Sequence, residues 1–433
     1  MRSTVSRRSF LAASAGLVTA PQVLRARGAN EKLNVAVIGV SNRGAANLAG
    51  VAHENVVALC DVDPANAKKA REQFPKAAFF TDYRQLFDKA HKTFDAVVVS
   101  TPDHTHAHPA CVAMALGKHV YCEKPLAETV NEVRAMRALA AKHKVVTQMG
   151  TQIHAENNYR RVVEIVRAGL LGDIKKVAVW NSSKPVGGKR LNSKPSAQFD
   201  LDVWLGPTDT AFFEAEMNKS GWNFAWPHFH WRWWWEFGGG TLADLGCHYI
   251  DLPYWALGLT SPTSVRAEGK KTYTGDNTTP DVMRVEMTFP KTKDRGEVEL
   301  SWDHGLTNPM DGSGIKGFNS GVLFVGTKAQ LVADYGKYQI LPEAAARAFK
   351  APEASIPKSL GHHREWTEAI KGNGTALCNF AYAGLLTEAV LLGNVAYRAG
   401  KEITWDHDKG TTGDAKADAF LSRAFRKGWE LPT

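Results

Sequence analysis

Along the first third of the chain, unbroken apolar runs alternate with mixed stretches. LNVAVI (33–38), NVVALC (55–60), FDAVVVS (94–100) and KHVYC (118–122) are too continuously apolar for strands with one wet face. They suit strands buried on both faces of a parallel sheet. Helical stretches lie between them, one after Gly44 to about Val51 and one from about His108 to Leu116. Strand and helix in alternation predict an α/β unit.

From about residue 155 the pattern changes. A helix, NNYRRVVEIVRAG, is followed by KKVAVWNSS, TSVRAEGKKTY, DVMRVEMTF, GEVELSWD and GVLFVGTKAQLVADY. These read as strands with short turn-rich links, which predicts an α+β domain with a large open, mostly antiparallel sheet. Between Asn181 and Phe229 lies a long stretch rich in Pro, Gly, Ser and Asn, a loop excursion of the kind that carries function.

The first strand runs into Gly39-Val40-Ser41-Asn42-Arg43-Gly44, then a helix, then a second strand ending at Asp61, 22 residues after Gly39. This is the dinucleotide turn G-x-G-x-x-G with Ser41 at its middle position. Gly39 permits the tight turn, Gly44 lets helix and strand approach, and the helix N-terminus offers free N–H groups to a pyrophosphate. Asp61 can hold ribose hydroxyls and would repel a 2′-phosphate, which favours NAD. Arg43 is the group that would accept NADP instead. The first unit is therefore read as a Rossmann domain over 30–153 and the second, over 154–433, as the domain that would face it with a substrate.

In a doubly wound sheet, ligands sit beyond the carboxyl ends of the strands. Ser100, Thr101, Pro102, His104 and His106 follow one such end, and Glu123 and Lys124 another. With Gln152 they complete the expected cofactor contacts; His154 is taken as a substrate contact.

The Gly-rich turn, STPDHTH, Glu123-Lys124-Pro125, GGGTLADLGCHYID and the late LTEAVLLGNVAYRAGKEITW together resemble the Gfo/Idh/MocA family (glucose-fructose oxidoreductase, inositol dehydrogenase, MocA). The resemblance implies that Lys124, Asp244 and His248 line an active site. It also implies that one face of the second sheet serves a homo-oligomer, a dimer or tetramer, which would make 154–433 a substrate-binding and oligomerisation domain. Ser41 departs from the commoner Gly.

Seven of the thirteen tryptophans lie between Trp222 and Trp255, four of them within WRWWW (231–235). Sugar rings pack apolar faces on indoles while their hydroxyls need fixed polar partners. His228, His230, Arg232 and Trp233 are the candidates for those contacts. His228-x-His230 lacks a third and fourth ligand, so no metal is expected. Thr241 can cap the helix after the glycines, with Asp244 in a capping box. Asp244 and His248, at i and i+4, share a helix face. Asp251 can orient the His248 ring. A His with a pKa near ~6.5 suits removal of a hydroxyl proton as hydride leaves. Lys124 suits stabilisation of the developing oxygen charge.

The formal charge is +9, but five arginines and no acid fall in the first 30 residues. The remaining +4, without a basic aromatic-laced run, argues against a nucleic-acid partner. Ser6-Arg7-Arg8-Ser9-Phe10-Leu11 before a short apolar run resembles a twin-arginine (Tat) signal over 1–29, cleaved after Ala20 or nearer Ala29. The expectation is a periplasmic or otherwise exported protein with no membrane span. Five cysteines without a CxxC pair predict buried thiols rather than disulfides.

The expected function is NAD(P)-dependent hydride transfer on a sugar or sugar derivative, with a tightly bound, recycled cofactor. The alternatives are an NAD-using glycosidase or lyase working through transient oxidation, and a non-catalytic sugar-binding protein.

Overall fold

The computed structural model describes residues 31–182, 198–208, 229–305 and 308–432, apart from 273 and 276. The expected signal and His228 lie outside the described residues. Six strands form the first sheet: β1 (Asn34–Ile38), β2 (Asn55–Cys60), β3 (Ala78–Phe80), β4 (Ala96–Val99), β5 (His119–Cys122) and β6 (Thr147–Met149). Their order is β3-β2-β1-β4-β5-β6 and every pairing is parallel. Both faces are covered, which is why these runs do not alternate. Val35, Val37 and Val98 enter one core cluster; Ala36, Ile38, Val97 and Val99 enter another. The order reverses between β1 and β4, so a crevice opens there beyond the strand ends.

Eight strands form the second sheet: β7 (Ile174–Asn181), β8 (Ser264–Lys270), β9 (Val282–Phe289), β10 (Val298–His304), β11 (Ser320–Gly326), β12 (Gln330–Ala333), β13 (Tyr338–Leu341) and β14 (Ile403–Thr404). Their order is β13-β12-β11-β7-β10-β9-β8-β14, antiparallel except for β7 beside β10. The run at 321–335 is not one strand. It folds back after Gly326, whose N–H bonds the Ala329 carbonyl, to give β11 and β12. One sheet face buries Val285, Met287, Leu300 and Trp302. The other carries ion pairs such as Arg284–Glu286 and Lys176–Glu299.

The chain does not stay in its second unit. Helix His362–Ile370 returns to the first sheet, where Trp366 and Ile370 pack with Val35, Val37 and Tyr121. Helix Phe380–Ala399 is long and apolar enough to cross a membrane, yet 78% of its apolar window is buried inside the protein. It packs against helix Val130–His143, β8 and the helix that carries Asp244. Its apolar length serves the core between the two sheets.

Candidate active site

The phosphate-binding turn has the geometry its sequence requires. Gly39 has φ +79°, and a Cβ there would meet the Ser100 carbonyl oxygen at 2.6 Å. A Cβ on Gly44 would meet the Gly39 carbonyl oxygen at 2.0 Å. Asn42 stands at the N-cap of helix Arg43–Val51 with φ 49° and makes no side-chain cap, so the first N–H groups stay available for an anion. Asp61 follows β2 and accepts from the Val40 N–H at 3.1 Å and the Asp63 N–H at 3.0 Å, which fixes its carboxylate beside the turn. The Ser41 hydroxyl donates to the Asn66 carbonyl at 2.9 Å instead of standing free for a phosphate.

The next two strand ends are tied together. The His106 ring bridges the carbonyls of Thr101 and Pro125, at 2.7 Å from each. Burial lowers its pKa to about 4 against the pull of the two carbonyls; the neutral ring carries a single N–H and donates to only one of them, the other facing the bare ring nitrogen. Glu123 accepts from Asn47 at 2.9 Å and from Gln152 at 2.7 Å, which aims the neighbouring Lys124 across the cleft. Gln152 thus acts through Glu123.

The other wall comes from the tryptophan stretch and helix Gly240–Tyr249. Lys124 Nζ donates to Asp244 Oδ1 at 2.6 Å and also to the Asp244 backbone carbonyl. Arg232 Nε donates to the same Oδ1 at 3.3 Å. Burial alone would raise the Asp244 pKa; the two cations, Lys124 foremost, hold it well below the usual carboxylate range. His248 is neutral: burial first, then Lys124, lower its pKa to about 3, not the ordinary value expected from the sequence. Its Nδ1 is buried with no hydrogen-bond partner among the described residues.

Two further expectations fail here. Thr241 does not cap the helix: Gly239 is the N-cap, there is no side-chain cap, and the Thr241 hydroxyl has no partner among the described residues. Asp244 turns to the cations instead. Asp251 does not orient His248. Its carboxylate faces His154 Nδ1 at 2.9 Å and accepts from Tyr382 at 2.6 Å, because a new helix, Asp251–Leu257, turns it away.

All these walls enclose one cleft of about 710 Å³. It brings together Gly39, Ser41, Asn42, Arg43, Asp61, Ser100, Thr101, Pro102, His106, Glu123, Lys124, Arg232, Asp244 and His248. Gly44 lies beneath the turn. His104 is packed between Trp204 and Phe237, ring centroids 4.9 and 5.0 Å away, and faces the Trp204 carbonyl, so it clamps the two halves together. His154 stacks on Trp255 at 3.9 Å, behind the helix. With Asp251 and Cys378 it forms the one group of three metal-type donors among the described residues, but Asp251 is already bonded to His154 and Tyr382. His230 and Trp233 pack against each other, ring centroids 5.9 Å apart; Trp231, two residues before Trp233, lines the cleft instead.

Sequence reading missed Asp103 and Phe229. Asp103 is 5% exposed and lines the cleft, and burial raises its pKa to about 8 against the pull of Lys124 and Arg232. The signal for Asp103 is an acid inside STPDHTH, beside the two histidines of the same motif.

A six-stranded parallel sheet with a glycine turn at its switch point thus faces a Lys–Asp–His wall across one cleft. Residues 33–151 match the model of the oxidoreductase family with an NAD-binding Rossmann fold, and residues 213–332 match the GFO/IDH/MocA C-terminal domain. The two matches cover more than half of the chain, and the protein belongs to the Gfo/Idh/MocA family. It is 30% identical over 193 residues to an inositol 2-dehydrogenase of Gluconacetobacter diazotrophicus, covering 43% of this chain and 53% of the relative. It is 32% identical over 209 residues to an alpha-N-acetylgalactosaminidase of Shewanella oneidensis, covering 39% and 44%. The chain thus spans about half the length of the curated relatives it matches. Among solved structures, the WlbA dehydrogenase of Bordetella pertussis, in complex with NADH and UDP-GlcNAcA, shares the fold. The TM-score is 0.61 at 18% identity, over 87% of this chain and 99% of that one.

Proposed function

We propose that this protein oxidises a sugar or sugar derivative by hydride transfer to an NAD that stays bound and is recycled. The observation that carries the reading is the meeting of Lys124, Asp244 and His248 in the same cleft as the Gly39–Gly44 turn. When bound, NAD supplies the hydride acceptor. Lys124 and Asp244 fix the reacting hydroxyl between a donor and an acceptor. His248, held neutral, offers a ring nitrogen to the hydroxyl proton. Negative charge developing on the substrate oxygen offsets the Lys124 charge that depresses His248, so its basicity rises as the bond breaks. Trp231 supplies a flat apolar wall for a sugar face.

The twin-arginine-like start supports retention of the cofactor. Tat export passes folded proteins, and an exported compartment offers little free NAD. A cofactor loaded before export, and reoxidised in place when a second sugar's carbonyl takes the hydride and a proton to become an alcohol, would need no replacement.

One observation supports a second reading, cleavage of a glycoside through transient oxidation. Asp103 is a carboxyl held protonated at neutral pH in the cleft wall, as a leaving-group acid must be. The identity to an alpha-N-acetylgalactosaminidase points the same way. The groups shaped for proton transfer argue against a sugar-binding protein without activity. Mass spectrometry of small molecules released on denaturation, with assays of free sugars and aryl glycosides with and without added NAD, tests these readings together.

A further inference from the structure

Arg232 is held more firmly than a hydroxyl contact requires. Its guanidinium carbon lies 4.3 Å from the Trp231 ring centroid and 4.9 Å from that of Phe229. Nε is spent on Asp244 Oδ1 and Nη1 donates to the Phe229 carbonyl at 3.0 Å. Among the described residues Nη2 has no acceptor, and the side chain, 21% exposed, lines the cleft. Two aromatic faces and two anchoring bonds pre-orient a planar donor fork whose outer edge meets no acceptor among the described residues.

The charges around it do not balance. Lys124 and Arg232 both lean on one carboxylate, Asp244. Asp103, the other acid at this wall, is protonated at neutral pH, and His248 is neutral. Glu123 belongs to the nucleotide side, held by Asn47 and Gln152. The substrate end of the cleft therefore carries one uncompensated positive charge beside an open guanidinium edge. A partly desolvated cation of this kind is stabilised most by an anion that can take two parallel hydrogen bonds.

We propose that Arg232 is a carboxylate-binding, specificity-determining residue and that the substrate is an acidic sugar: a uronic or aldonic acid, or a glycoside of one. The proposal rests on the sugar-oxidoreductase reading of the cleft. A carboxylate is favoured over a phosphate monoester because one uncompensated charge matches a monoanion.

The test is calorimetric binding to the NAD-loaded full chain. The probes are matched pairs: glucose and glucuronate, galactose and galacturonate, mannose and mannuronate, with glucose 1-phosphate as the phosphate arm. At least one hexuronate is expected to bind about 10–100-fold tighter than its neutral partner, the range of a charged hydrogen-bonded contact. Arg232→Leu should bring that ratio close to one, and Arg232→Lys should keep part of it. Nicotinamide content and melting temperature verify that each variant is folded, and Arg232→Lys carries the test if Arg232→Leu is not. Neutral hexoses binding as tightly as hexuronates would overturn the inference while leaving the sugar reading intact. So would a preference that survives in Arg232→Leu, or tighter binding of the phosphate. Absence of binding by every sugar, with nicotinamide in place, would overturn both.

Discussion

Lys124 Nζ and Asp244 Oδ1 stand 2.6 Å apart, although 120 residues separate them in the chain. One follows β5 of the nucleotide-binding sheet; the other lies on the helix beneath the tryptophan stretch. The pair joins the cofactor wall to the substrate wall, and the chemistry proposed for the cleft depends on it. Lys124→Ala should leave NAD affinity near wild type and lower single-turnover hydride transfer by about 10²–10⁴, the usual scale for a proton-handling group. His248→Ala should do the same. Unchanged transfer in the His248 variant would remove that residue from the chemistry.

Four buried histidines make the fold acid-sensitive. Burial lowers His104, His248 and His362 to about 3 and His106 to about 4. The unfolded chain takes up those protons near pH ~6.5, before the native state does. Each histidine thus contributes stability that is complete above ~6.5 and is lost as pH falls toward 4 and then 3. Asp103, raised to about 8, has the opposite sign: its contribution is complete below ~3.9 and is lost as pH rises through 8. A melting-temperature series from pH 8 to pH 4 should fall steeply on the acid side. A flat profile between pH 6.5 and 4 would contradict this account of the histidines.

Gly39→Ala tests the phosphate turn. A side chain must adopt φ +79° and push against the Ser100 carbonyl. Strain of about 1–3 kcal/mol is expected, with loss of NAD binding. Chemical denaturation and NADH fluorescence titration read the two effects separately. Wild-type values in both would show that the turn adapts and does not need glycine.

Cofactor choice should follow Asp61. Its carboxylate, held by the Val40 and Asp63 N–H groups, lies where a 2′-phosphate would bring negative charge. Protein stripped of nucleotide should bind NAD more tightly than NADP, and Asp61→Ala should narrow the difference. A clear preference for NADP would shift the assignment to Arg43.

The first sheet was legible because strands buried on both faces leave continuous apolar runs and the glycine turn has a fixed spacing. The Lys124, Asp244 and His248 placement was legible through motif resemblance. What could not be read was tertiary. Helix His362–Ile370 returns to the first sheet from the far end of the chain, and no local pattern announces a partner more than 200 residues away. Asp251 was assigned to His248 by helical spacing, but a new helix at Asp251 redirects it to His154. Trp233 is the indole expected to meet a substrate, but a 3₁₀ turn over His230–Trp233 puts Trp231 on the cleft, and nothing in a run of similar indoles shows which one that turn will present. The low pKa of His248 is a property of its burial beside Lys124, invisible until both walls are assembled.

The most direct test of the central claim is turnover by purified protein without added cofactor. Protein prepared without supplementation should release nicotinamide dinucleotide on denaturation. It should also turn over a suitable sugar pair, or a glycoside, many times with no NAD supplied. Activity that always needs added NAD and accumulates NADH in step with product would contradict the bound, recycled cofactor and leave a dehydrogenase that exchanges it with solvent.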